Sequence, residues 1–186
     1  MGEGGWQIKP VGLDAYSSAI NRSSAAPSRS AVNECWPSNR HRSSRLSDGF
    51  VACVQVISAM AATAVAAGRV APKALAGVEA ALLERERSMT TGMEDGIAIP
   101  HAAVDGVTEV IAVLGLTRDG VPFEALDGQP AQIVVCLIIP RAKKLQNIKT
   151  LAGIAKLLSR AAVRRDLLAC ETPEQVLAVI GEAEAG

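Results

Sequence analysis

Residues 85–101 read Arg-Glu-Arg-Ser-Met-Thr-Thr-Gly-Met-Glu-Asp-Gly-Ile-Ala-Ile-Pro-His. The first three are the charged end of a helix. Residues 88–96 make a polar loop in which Gly92 and Gly96 supply turns. Ile97–Ile99 is a short apolar strand that runs straight into Pro100-His101. His101 thus stands where a strand gives way to a loop, and an imidazole there is accessible. Imidazole changes charge close to neutral pH, so a neutral ring with a nucleophilic nitrogen is available at pH 7. Taken alone, a lone histidine in a globular domain is most often a structural or surface residue.

Upstream, Phe50–Ala67 is free of charge and contains seven alanines together with Gln55, Ser58 and Thr63. Alanine drives membrane insertion weakly, so this stretch reads as a core helix of about 51–67 rather than a span. Pro72 opens a second helix with Leu75, Val78 and Leu82 on one face, running to about Arg87. Downstream, Val110–Leu116 is a strand, Arg118-Asp119-Gly120 and Asp127-Gly128 are turns, and Gln132–Ile139 is an almost unbroken apolar strand ending at Pro140. A strand apolar on both sides predicts helices on both faces of its sheet. Helices follow at about 144–160, with Ile148, Leu151, Ala152, Ala155 and Leu158 as the buried stripe, and at 162–169. The last helix has Thr172 as N-cap, Pro173 at its first position and Gln175 completing a capping box. Helices, then strands, then helices predict an α/β fold, a mixed β-sheet sandwiched between helices.

The chain has 186 residues, 49% of them hydrophobic and 3% aromatic. That is enough apolar material for one core, and too few aromatics for base-stacking platforms. Nineteen basic residues balance nineteen acidic ones, so nothing global points to nucleic acid or a membrane surface. Six of the basic and four of the acidic residues lie in 1–50, which leaves thirteen against fifteen, a net −2, for the rest. Residues 1–48 carry ten serines, three prolines and no sustained period, and are expected to be a flexible tail before a domain of 49–186. His41, between Arg40 and Arg42, is an exposed tail histidine on this reading. No secretory signal is visible at Met1–Pro10. Cys35, Cys53, Cys136 and Cys170 lack CxxC spacing, which disfavours a metal site and a disulfide framework and fits the cytoplasm.

The string 85–101 closely resembles the signature of enzyme IIA of the bacterial sugar phosphotransferase system, fructose–mannitol type. The match carries an Arg-Glu pair, a Thr-Gly in the loop and Gly-Ile-Ala-Ile-Pro-His without a gap. It continues through Val121-Pro122-Phe123, Asp127-Gly128 and the strand ending in Pro140, covering about 55–182. The resemblance implies a phosphotransferase with a phosphohistidine intermediate. A phosphocarrier protein would phosphorylate His101, which would pass the group to an enzyme IIB domain in sugar uptake. Arg85 would line the site, and Thr91 and Gly92 would belong to the adjoining loop. No metal or organic cofactor is implied, nor any nucleic acid or direct membrane insertion. The alternative is a regulatory enzyme IIA of the nitrogen-related branch, whose phosphorylation state controls binding to other proteins.

On position alone, Arg85 is equally an ordinary cation at a helix C-terminus, where positive charge is favoured. Thr91 is equally a loop or capping residue. Two features depart from the family. A second histidine, common near the start of the helix after the last strand, is replaced by Asn147, which can donate a hydrogen bond to a phosphoryl oxygen but cannot carry a proton. Asparagine also suits a helix N-cap. The family's opening strand has no recognisable counterpart in the Ser/Arg-rich tail.

Overall fold

The sheet is built around one strand, β6 (Ala131–Pro140). The structure, a computed structural model, describes residues 7–8 and 47–185, with side chains described over 52–142 and 148–185. The other strands are β1 (Gln7–Ile8), β2 (Gly92–Met93), β3 (Ile97–Ala98), β4 (His101–Val104) and β5 (Ile111–Val121). The helices are α1 (Ser47–Ala66), α2 (Leu75–Ser88), α3 (Lys144–Leu158), α4 (Ala161–Ala169) and α5 (Pro173–Ala185). Short 3-10 turns, Pro72–Ala74 and Arg141–Lys143, lead into α2 and α3.

The sheet is mixed, as expected. The strand order is β1-β5-β6-β3-β2, with β4 also beside β6. β5 runs antiparallel to β6, whereas β3 and β4 run parallel to it. Along β6 the side chains alternate between two cores. Val134, Cys136 and Ile138 face α1 and α2. Ile133, Val135, Leu137 and Ile139 face α3, α4 and α5. Period-2 geometry with apolar residues in both phases explains the unbroken run in the sequence.

α1 buries Cys53, Val56, Ile57, Met60, Ala61 and Ala64, a stripe at three- and four-residue spacing. Among the described residues no helix is long and apolar enough to cross a membrane. The helix stops at Gly68, whose φ of 70° only glycine adopts cheaply. Gly68 N–H donates to the Val65 carbonyl at 2.9 Å and Arg69 N–H to the Ala64 carbonyl at 3.0 Å, a Schellman cap. The capping box of α5 forms as read: Thr172 N–H donates to Gln175 Oε1 and Gln175 N–H to Thr172 Oγ1.

Five expectations change. Gly92, read as supplying a turn in the 88–96 loop, instead opens β2 and pairs with Ala98, while Gly96 does take the turn conformation. Within the stretch read as a tail, Gln7 and Ile8 form a strand antiparallel to Leu116 and Gly115; two residues are too few to leave a period. His41 and Cys35 lie outside the described residues. Arg118-Asp119-Gly120 is not a turn but an irregularity within β5, since the register passes from Leu116↔Ile133 to Val121↔Ala131. Gly120 takes φ 74° there, and a Cβ on it would stand 2.6 Å from Pro130 Cβ. In α3 the buried stripe runs through Thr150, Ile154 and Leu158, while Ile148 and Ala152 are exposed. Apolar residues surround much of that helix, so its periodicity leaves the centre of the stripe open by a fraction of a turn. Finally, His101 begins a strand rather than a loop.

Candidate functional site

Proline explains the local geometry at His101. β3 and β4 form one line along β6, interrupted at Ile99-Pro100 because proline has no N–H to give to a ladder. The register survives the break: Ala98 pairs Val134 and His101 pairs Leu137, three residues on in each strand. The Pro100 carbonyl stays in the sheet, accepting the Leu137 N–H at 2.8 Å. His101 shares the face of its partner Leu137, on the side of α3–α5, and is half-buried.

The imidazole is oriented by its own chain. His101 Nδ1 lies 2.8 Å from the Ile99 carbonyl oxygen. A carbonyl oxygen only accepts, so Nδ1 carries the hydrogen and Nε2 carries the lone pair in the neutral ring. The Ile99 peptide is held in turn, its N–H donating to the Thr91 carbonyl at 3.1 Å.

Thr91 is buried and faces a residue that sequence reasoning quoted but gave no role, Glu86 on the buried side of α2. Glu86 Oε1 accepts the Thr91 N–H at 3.0 Å, and Oε2 accepts the Thr91 hydroxyl. The signal for it was the helical spacing Val78, Leu82, Glu86, which puts a carboxylate on an apolar stripe. Gly92 lies against the next loop: a Cβ there would overlap the Phe123 carbonyl oxygen and stand 3.1 Å from Ala125 N. Thr90 Oγ1 donates to that carbonyl and accepts the Gly92 N–H.

Arg85 is placed differently. It sits on α2, in the helix layer of the opposite face, although α2 packs against β4. Its Nη1 donates to the Met89 carbonyl at 2.7 Å, which occupies one of five guanidinium donors. The structure therefore unites Thr91 and His101 through Ile99, and leaves Arg85 bonded to its own helix end. Asn147 lies in α3, and its side chain falls outside the described residues.

A second network fixes the β2–β3 turn. Asp95 and Gly96 take φ 63° and 72°. The Asp127 carboxylate accepts the Asp95 N–H at 2.9 Å and the Gln129 N–H at 3.0 Å. These backbone bonds, Gln129's first, hold the Asp127 carboxyl below its ordinary value. Arg164 pairs with Asp95 at 3.0 Å and donates to the Leu158 and Ser159 carbonyls, tying the turn to the end of α3.

Residues 52–183 match the family described as phosphoenolpyruvate-dependent sugar phosphotransferase system, EIIA 2. The chain belongs to this family. Over 102 residues it is 35% identical to a fructose-specific EIIA component of Haloferax volcanii, a match covering 55% of this chain and 66% of the relative. It is 33% identical over 105 residues to a nitrogen regulatory protein of Pseudomonas aeruginosa, covering 56% and 68%. A fructose-specific EIIABC component of Bacillus subtilis is matched over only 16% of its length. Among solved structures, nitrogen regulatory protein IIA-Ntr of Neisseria meningitidis superposes with a TM-score of 0.62 at 25% identity, covering 68% of this chain and 85% of that one. The fold is also that of IIA mannitol from Escherichia coli, with a TM-score of 0.56 at 24% identity, covering 69% and 88%.

Proposed function

We propose that the chain relays a phosphoryl group on His101, taking it from a phosphocarrier protein and giving it to an enzyme IIB domain in sugar uptake. The observation that carries this reading is the Nδ1–H bond to the Ile99 carbonyl, which leaves the Nε2 lone pair as the nucleophile. In the first step that lone pair attacks phosphorus, the N–P bond forms, and the bond from phosphorus to the donor breaks. The ring gains positive charge, which the Ile99 carbonyl dipole stabilises through Nδ1–H. Onward transfer reverses these changes. Positioning and electrostatics supply most of the catalysis in such a step.

On this reading Arg85 offers guanidinium donors to the phosphoryl oxygens once its bond to Met89 is exchanged. Thr91 and Gly92 hold the loop beside the histidine, and Asn147 offers an amide where the family has a second histidine. Cys53 and Cys136 are buried as thiols rather than as halves of a disulfide, which suits a reducing cytoplasm. The regulatory alternative is favoured by the nitrogen regulatory proteins among the relatives and by the likeness to IIA-Ntr.

The test is incubation with the general phosphotransferase components and phosphoenolpyruvate. Acid-labile, alkali-stable label should appear, vanish in His101→Ala and persist in His41→Ala. Label remaining in His101→Ala contradicts the proposal. Onward transfer to an enzyme IIB domain separates transport from regulation.

A further inference from the structure

Glu86 is 8% exposed, and a carboxylate so buried is costly unless its oxygens are well bonded. Both oxygens go to one residue, Thr91, one to its N–H and one to its hydroxyl. Bonds to an ionised acceptor are roughly twice as strong as neutral ones, so the pair is a stiff two-point clamp. The Thr91 carbonyl holds the Ile99 N–H at 3.1 Å, and the Ile99 carbonyl holds His101 Nδ1 at 2.8 Å. Ile99 has little freedom otherwise: its side chain is buried in the α3–α5 core, and a residue before proline is confined to extended backbone. Carboxylate, threonine, peptide and imidazole therefore form one continuous hydrogen-bonded series running from α2 to the β3–β4 break.

We infer that Glu86 is a positioning residue for phosphotransfer: by clamping Thr91 it fixes the Ile99 carbonyl and so holds His101 in the Nδ1–H tautomer. This rests on His101 being the phosphoacceptor. Glu86 touches neither the phosphoryl group nor the ring. Its effect is on which nitrogen carries the lone pair before the partner arrives.

The test is imidazole nitrogen NMR on the unphosphorylated protein, which reads the tautomer without any transfer reaction, together with the transfer rate and thermal midpoint. Glu86→Met fills similar volume but removes both acceptors, whereas Glu86→Gln keeps an acceptor for the Thr91 N–H. In the native chain and Glu86→Gln, Nδ1–H should dominate. In Glu86→Met the tautomers should become mixed and transfer should slow about tenfold, in a protein that remains folded. A folded Glu86→Met with the native tautomer overturns the assignment. So does loss of folding in Glu86→Met, because the carboxylate would then support the domain rather than the ring. If the native protein takes label elsewhere than His101, the relay reading fails, while the tautomer comparison still reports on Glu86.

Discussion

His101 Nδ1 and the carbonyl oxygen of Ile99 are hydrogen-bonded at 2.8 Å across two residues of chain, with Pro100 between them. Because the acceptor comes from the peptide before the proline, the orientation of the ring is written into the local backbone. The direct acceptor is a backbone carbonyl rather than a second histidine, and that carbonyl is held in turn through Thr91 and Glu86.

Arg85 separates a phosphate-binding role from a helix-end role. If its guanidinium binds the phosphoryl oxygens, Arg85→Lys loses a charged hydrogen bond of about 1.5–3 kcal/mol, roughly a ten- to hundredfold fall in rate. Rapid-quench phosphotransfer measures it. A rate within twofold of the native one would show that the Met89 bond is the residue's whole purpose.

Gly92→Ala should destabilise the domain by about 1–3 kcal/mol, since the added methyl meets the backbone of Phe123 and Ala125 rather than a flexible side chain. Denaturant unfolding gives the number. A variant as stable as the native chain would mean that the two loops separate easily.

Much of this was legible in the sequence. The double-sided run 132–139, the helical spacing in α2 and the capping box at Thr172–Gln175 each carry a physical period or motif. The tautomer of His101 was not legible, because it depends on a carbonyl whose direction is set by Thr91 and Glu86. Nor was the strand at Gln7–Ile8, which exists through pairing with β5. Continuation of β5 through Arg118–Gly120 was hidden because a glycine with positive φ serves a bulge as readily as a turn. Ile148 was misplaced because α3 is apolar on more than one side.

Deleting residues 1–8 removes β1 and opens the β5 edge at Gly115 and Leu116. The thermal midpoint should fall by a few degrees, and the shortened chain should self-associate with rising concentration. Calorimetry and sedimentation check both. No change in either would show that β1 contributes nothing to the edge.

Asp127 gives a pH dependence of definite sign. Its folded value lies below the ordinary 3.8, so its stabilising effect is present above that pH and is lost as the pH falls through the lower folded value. Asp127→Asn should therefore flatten the acid limb of the stability curve. It should also loosen the turn at Asp95, seen as faster exchange of the Asp95 amide. An unaltered acid limb would assign acid sensitivity to other groups.

The most direct test of the account is the identity of the phosphorylated atom. Nitrogen–phosphorus NMR couplings on the phosphoprotein, with the ring labelled, report which nitrogen bears the group. Phosphorus is expected on His101 Nε2, with Nδ1 still carrying its hydrogen toward Ile99. Phosphorus on Nδ1, or on any residue other than His101, would contradict it.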